Sequence, residues 1–438
     1  MDLRLLRLLL VVLLVGGGWW SHCHGCWDQE RTALMHLKPY FDLYVDGVSK
    51  WGQRANCCEW AGVHCDISTG RLTRLFLNSS DYELIHGFFY DPMVYETLSG
   101  WVKRKEWYLN VSLFLPFQEL NTLSLSGQNI AGFVNHQEKG ESALSKLEVL
   151  DLKLNALNNL EELIMRHNQV IEFLPSQDDE LELRLMNLKA LDLFGNPLNS
   201  SILASIGRLS NLRSLSLTFG VFNFTGWIDF TELKALTHLE DLTLYLYNDS
   251  FILLATDSFP YIDCRLPLHS LGLFPSLKTV ALVGFNIEGT IMTSQSNETV
   301  LRLMNLKSLT LGVSNFQGSI ALTELNGLVH LEDLSLHCYD YDDSSLTTTG
   351  RPCSLPLQSL GLFSSLKTVE LHGFDIEGTT RTSQSEWHSN FTNLEELRLY
   401  NSSLQTNILG SIQQFTSLRR LILMGCEMNE SLNILEGT

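Results

Sequence analysis

Apolar positions along this chain recur in one phrase, L-x-x-L-x-L. Clear copies stand at Leu120-Leu123-Leu125, Leu147-Leu150-Leu152, Leu188-Leu191-Leu193, Leu212-Leu215-Leu217 and Leu239-Leu242-Leu244. Others follow at Leu277-Val280-Leu282, Leu306-Leu309-Leu311, Leu331-Leu334-Leu336, Leu366-Val369-Leu371, Leu394-Leu397-Leu399 and Leu418-Leu421-Leu423. Variants at Leu72-Leu75-Leu77 and Leu160-Leu163-Met165 bring the total to thirteen. In the x-L-x-L core of each copy the leucines point to one side of a short strand and the variable residues to the other. One such strand cannot bury its apolar side alone. Stacked copies can, so the pattern predicts a parallel sheet over a continuous core, with the rest of each repeat returning around the outside.

That architecture is an α/β leucine-rich-repeat horseshoe solenoid with a parallel concave sheet. After Leu123 the central positions lie 24 to 38 residues apart, except for one interval of 13 between Leu150 and Leu163. A coil needs at least about 20 residues, so this interval reads as a lost half-repeat that kinks the solenoid. An apolar residue usually follows five positions after the last leucine, as at Ile130, Val170, Leu198, Ile376 and Leu404. An Asn or Cys is expected three positions after it, to satisfy backbone groups of the turn. Asn155, Asn168, Asn196 and Cys426 fit, whereas Gln128, Phe285, Phe374 and Ser402 occupy the slot elsewhere. Long intervals place insertions near 245–265 and 337–354. Residues 266–296 and 355–385 are copies at an offset of 89: LPLHSLGLFPSLKTVALVGFNIEGT against LPLQSLGLFSSLKTVELHGFDIEGT.

The ends of the pattern add a compartment. Arg4 and Arg7 precede an apolar run from Leu8 to Val15 that Gly16, Gly17 and Gly18 interrupt, so residues 1–25 read as a secretory signal peptide. The run is shorter than the roughly 20 residues of a membrane span, and no later stretch is long and apolar enough, so the sequence as written implies no other membrane segment. Secretion makes disulfides the default for the clustered cysteines. Metal binding by the His22-Cys23-His24-Gly25-Cys26 stretch is disfavoured, because most of it lies in the signal tail. Sequons at Asn78, Asn110, Asn199, Asn223, Asn248, Asn297, Asn390, Asn401 and Asn429 exceed the roughly four expected by chance and predict glycosylation.

Residues 26–66 lack the repeat phrase and supply a cap for the open end of the stack, ahead of an array over 67–438. Ala33, Leu34 and Leu37 fall on one face of a helix predicted over Glu30 to Tyr40. The run Glu30-Arg31-x-Ala33-Leu34-x-x-Leu37-Lys38, then Trp51, Cys57-Cys58-x-Trp60-x-Gly62-Val63-x-Cys65 and Thr69-Gly70-Arg71, resembles the N-terminal cap of plant leucine-rich-repeat receptors, most of all the kinase-less receptor-like proteins. With the repeats behind it, the resemblance spans nearly the whole chain. It implies disulfides Cys26–Cys57 and Cys58–Cys65, and Trp51 and Trp60 packing the cap on the first repeat. Family members continue into more repeats, a second cap, a transmembrane helix and a short tail, and the chain as written reads as truncated before them. Cys338 and Cys353 flank the second insertion and are placed to staple it, Cys264 lacks an equivalent partner, and Cys426 reads as a buried thiol.

A net charge of -19 argues against nucleic acid as a partner. No G-x-S-x-G, Walker loop, H-E-x-x-H or kinase signature occurs, so the sequence implies neither an enzyme nor a cofactor. Binding is the expected role. Candidate concave-face residues are Phe194, Phe219, Asp241, Tyr245, Asp333, His337, Glu370, His372, Glu396, Arg398, Tyr400 and Arg420. Aromatics beside charges suit a peptide or protein partner. The resemblance implies the recognition module of a receptor-like protein in defence or development, taking a peptide, protein or glycan ligand and relaying through a membrane co-receptor. Two alternatives stand beside it: a secreted inhibitor of a microbial wall-degrading hydrolase, and a truncated fragment without function. The place of action is extracellular, or the plasma membrane if a longer form carries a transmembrane helix.

Overall fold

The computed structural model describes residues 26–43, 45–79, 107–134, 159–170, 187–220, 226–227, 230–247, 264–288, 303, 305–313, 328–338, 353–378, 393–405 and 408–428. The signal segment, the phrase at 147–152 with Asn155, most of both insertions, and Asn223, Asn248, Asn297, Asn390 and Asn429 lie outside them. No helix among the described residues is long and apolar enough to cross a membrane.

Twelve copies of the repeat phrase, with one strand of the cap, form a 13-stranded sheet. Its strands are β1 (Val63–Cys65), β2 (Leu72–Phe76), β3 (Thr122–Ser124), β4 (Glu162–Ile164), β5 (Ala190–Leu198), β6 (Ser214–Gly220) and β7 (Asp241–Tyr247). They continue as β8 (Thr279–Val283), β9 (Ser308–Val313), β10 (Asp333–Cys338), β11 (Thr368–His372), β12 (Glu396–Tyr400) and β13 (Arg420–Met424). Strand order follows the chain. β1 pairs antiparallel with β2, and every later pair is parallel. Register follows the leucines: Leu334 lies opposite Val369, Val369 opposite Leu397, and Leu397 opposite Leu421. Inward leucines such as Leu215, Leu217, Leu242 and Leu244 are at most 1% exposed, while their outward neighbours are half-buried.

The pairing around the short interval is direct. β3 hydrogen-bonds directly to β4, with Leu123 opposite Leu163, so the short interval before Leu163 adds no strand between them. The phrase at 147–152 lies outside the described residues.

The turn after each strand explains the irregular ladder slot. Asn168 Nδ2 donates to Leu125 O (2.9 Å) and its Oδ1 accepts from Ile130 N (2.8 Å). Asn196 repeats this with Met165 O (2.8 Å) and Val170 N (3.1 Å). Gln128 reaches Leu77 O (2.7 Å), and Cys426 Sγ lies 3.3 Å from Leu399 O. Phe285 and Phe374 fill the slot with fully buried rings instead. The preceding residues, Gly284 and Gly373, take φ of +86° and +76°. A Cβ on either would strike a carbonyl oxygen of an earlier repeat, on Leu246 or Cys338, so glycine is what lets the chain turn there. Outside these turns, short strands form smaller sheets, among them Ser354–Pro356, Asp375–Glu377, Ser403–Leu404 and Glu427–Met428. The duplicated segments match element for element: Asn286–Glu288 and Asp375–Glu377 stand at the same offset as β8 and β11.

The cap is built on helix α1 (Asp28–Phe41), which buries Ala33, Leu34, Leu37 and Phe41. Disulfides join Cys26 to Cys57, Cys58 to Cys65, and Cys338 to Cys353. The last closes the neck of the second insertion. Trp51 and Trp60 are buried and stacked at 5.7 Å, and their indole N–H groups donate to Ala61 O and Arg54 O. Glu30 is 1% exposed and ties the helix to the first repeat: it accepts from Arg71 Nε (2.8 Å) and from the backbone N–H of Leu72 (3.1 Å). Trp27 covers the Arg71 guanidinium at 4.2 Å. Removing one partner of a buried pair strands the other charge, at a cost of about 3 kcal/mol. Glu30→Ala is therefore expected to lower the urea midpoint read by Trp51 and Trp60 fluorescence. Glu59→Ala, which breaks an exposed pair with Arg54, is expected to leave that midpoint unchanged.

Candidate functional site on the concave face

Strand alternation and register turn the outward side chains into three rows across the sheet. The first contains Asp241, Asp333, Glu396 and Arg420; the second Ser335, Glu370 and Arg398; the third Tyr245, Val283, Gly312, His337, His372 and Tyr400. Phe194 ends the third row at its N-terminal side. Its ring meets Tyr245 edge-on at 4.8 Å and His167 at 5.3 Å. At the other side His337 stacks on His372 at 4.4 Å, and His372 on Tyr400 at 4.4 Å, with ring planes within 21° of parallel. Val283 and Gly312 lie between the two aromatic groups, so Tyr245 and His337 are three strand steps apart, roughly 14 Å.

An ion-pair network runs beside the ring stack. Arg398 Nε donates to Glu396 Oε1 (2.7 Å) and its NH1 to Glu370 Oε2 (3.1 Å), while Arg420 bonds both oxygens of Glu396 (3.1 and 3.0 Å). The hydrogen bond from Arg398, ahead of that from Arg420, holds the Glu396 carboxyl below its ordinary range, and Glu396 and Glu370 raise Arg398 in turn. His337 Nε2 lies 2.8 Å from Ser335 Oγ, and His372 Nε2 lies 3.2 Å from Glu370 Oε1. Burial, reinforced by His372 and opposed by Glu370, pushes His337 down to about 4. Burial lowers His372 as well, against the pull of Glu370. Both imidazoles are therefore neutral near neutral pH.

Most of the predicted positions face this surface. Phe194, Asp241, Tyr245, Glu370, His372, Glu396, Arg398 and Tyr400 are half-buried on it, and Asp333 and Arg420 are exposed. His337 is in the outward row but only 9% exposed, because His372 lies over it. Phe219 is a correction. It stands two residues after Leu217, shares its inward side, and is 0% exposed in the core. Ser335, Val283, Gly312 and His167 belong to the surface and were not singled out from sequence. The signal for two of them was phrase position: Val283 and Gly312 each directly follow the last leucine of their phrase, as the predicted His337 does. Among the predicted sequons, Asn401 is exposed at the end of β12 with φ of +46°. Asn110 and Asn199 are half-buried, as is Asn78, whose Oδ1 accepts from Ser124 Oγ (2.6 Å) and Ser126 N (3.0 Å).

A second hollow lies along the edge where the chain enters the strands. This groove of about 490 Å³ is lined by Lys307, Glu332, Lys367, Glu395 and Arg419 with Asn305 and Asn393. Its charges are mutually paired, as in Lys367–Glu332 (2.5 Å) and Lys307–Glu332 (3.1 Å), and Asn393 donates to Ser364 O. Those bonds tie repeat to repeat, and the groove presents little uncompensated charge for a ligand.

The fold and this face define a capped leucine-rich-repeat solenoid. Residues 28–66 match the leucine rich repeat N-terminal domain. The chain is 32% identical over 192 residues to receptor-like protein 9a of Arabidopsis thaliana, covering 41% of this chain and 18% of that protein. It is 29% identical over 281 residues to Cuscuta receptor 1 of Solanum lycopersicum, covering 61% of this chain and 21% of that protein. The chain thus spans about a fifth of the length of these relatives. Among solved structures, the ectodomain of the Arabidopsis receptor kinase HAESA, in complex with an IDA peptide hormone, superposes with a TM-score of 0.49 at 17% identity, covering 92% of this chain and 62% of that one. The resemblance to plant leucine-rich-repeat receptor-like proteins is borne out.

Parity gives the test of this surface. Phe219→Ala empties a core position and is expected to cost about 3–5 kcal/mol in chemical unfolding. Phe194→Ala loses two edge-on ring contacts at the surface and is expected to cost about 1 kcal/mol. Equal losses would contradict the assignment.

Proposed function

We propose that this chain is the extracellular recognition part of a plant receptor-like protein. Its residues 1–25 direct secretion, and it takes a peptide or protein ligand across the concave face of β5–β13, in defence or developmental signalling relayed by a membrane co-receptor. The observation that carries this reading is the arrangement of the third row: two aromatic groups, Phe194–Tyr245 and His337–His372–Tyr400, flank a low interval at Val283 and Gly312. Such a surface seats an extended chain, with side chains anchored on the rings and the segment between them close to the backbone at Gly312. The Glu370–Arg398–Glu396–Arg420 network supplies a polar border that discriminates by charge. The similarity to receptor-like proteins supports the same class of role. Glycans at the sequons, Asn401 included, would confine contacts to the uncovered part of the face.

The test is capture by the immobilised secreted chain from two panels, co-receptor ectodomains with candidate peptides and microbial wall hydrolases. Binding in the first panel is expected. Tyr400→Ala and Arg398→Glu are each expected to weaken it by at least about tenfold, as for a contact worth more than about 1.4 kcal/mol. Lys189→Glu, on the strand-entry edge, is expected to leave it unchanged. Capture of hydrolases alone would overturn the receptor reading in favour of a secreted inhibitor.

A further inference from the structure

Among the described residues, one cluster brings three metal-ligating side chains together outside any disulfide. His337, Glu370 and His372 each offer a donor atom, and these atoms lie within 4.8 Å of one another. The cause is register. β10 and β11 pair so that Ser335 faces Glu370 and His337 faces His372, and all four project outward from the sheet. The result is a two-by-two grid of polar side chains on adjacent strands, at the most aromatic part of the concave face.

We propose that this grid binds a divalent first-row transition-metal ion of the Zn²⁺ class. Two imidazoles and one carboxylate suit such an ion, whereas Mg²⁺ and Ca²⁺ require oxygen donors. The donor atoms start close together. His372 Nε2 and Glu370 Oε1 are 3.2 Å apart, and the ion takes the place of the proton they share. His337 Nε2 points to the same side, toward Ser335 Oγ at 2.8 Å, so the serine hydroxyl stands as a fourth neighbour. The other carboxylate oxygen, Glu370 Oε2, is held by Arg398, itself fixed by Glu396. That support orients Oε1 and leaves it as the ligating atom, the outer-shell arrangement that metal sites use. Bonds of about 2.0–2.2 Å in a tetrahedral site bring donors to roughly 3.4 Å of one another, so the two imidazoles, stacked with their planes 16° apart, must tilt out of the stack until both ring planes meet at the ion. The ion would face the concave hollow with a coordination position open to a carboxylate or imidazole of a bound ligand. The site does not depend on the receptor reading, since it needs only the register of β10 and β11.

The experiment is calorimetric titration of the secreted chain with Zn²⁺, with Mg²⁺ and Ca²⁺ in parallel, and a visible spectrum with Co²⁺ as the reporter. One Zn²⁺ site per chain is expected, unfilled by Mg²⁺ or Ca²⁺, together with a Co²⁺ ligand-field band that Zn²⁺ displaces. His337→Ala, His372→Ala and Glu370→Gln are each expected to weaken Zn²⁺ binding by at least about tenfold and to remove the band. Circular dichroism verifies that each variant is folded. If a variant does not fold, the spectrum of the unaltered chain still decides, because the absence of a displaceable Co²⁺ band overturns the proposal. A site that survives His372→Ala unchanged overturns it equally.

Discussion

Every feature of this molecule depends on strands that cannot bury their own apolar side. A three- to nine-residue segment built on x-L-x-L gains a core only when a neighbour lies in register beside it, leucine opposite leucine. Register is therefore enforced by burial: a slip of one residue would send Leu334, Val369 and Leu397 into water and bring Ser335, Glu370 and Arg398 into the core. The same constraint that builds the core decides which outward side chains meet. His337, His372 and Tyr400 stack because each directly follows the last leucine of its phrase.

The cap and the turns serve that constraint. The buried Glu30 carboxylate ties the helix to β2 through Arg71 and the Leu72 amide, and β1 pairs along the edge of β2. Along the stack, the slot after each strand is filled either by a polar group that satisfies turn backbone, as with Asn168 and Asn196, or by a buried ring, as with Phe285 and Phe374. Loss of asparagine in the later repeats is thus a change of filling. The glycines that precede the phenylalanines make it possible.

The stack of strands was legible from the leucine spacing, and the cap from its cysteines, tryptophans and Glu30. Two points were not. Phe219 is an aromatic just past the last leucine of its phrase, where the sequence reading places outward residues. The parity of Leu215 and Leu217 assigns it to the core. The individual residues of the His337–Glu370–His372 corner were visible, yet their meeting was not. Between His337 and His372 lies a 35-residue interval with an insertion, and only the pairing of β10 with β11 shows that the interval closes in register.

The central claim is that leucine register fixes one outward surface and its neighbours. Thiol labelling tests it most directly. In a Cys264→Ser/Cys426→Ser background, single substitutions Glu370→Cys, Leu371→Cys, His372→Cys, Tyr245→Cys and Phe219→Cys are treated with a maleimide under native conditions. Reaction is expected at positions 370, 372 and 245, with protection at 371 and 219. Labelling at 371 or 219 without unfolding, or protection at 370 and 245, would contradict the account.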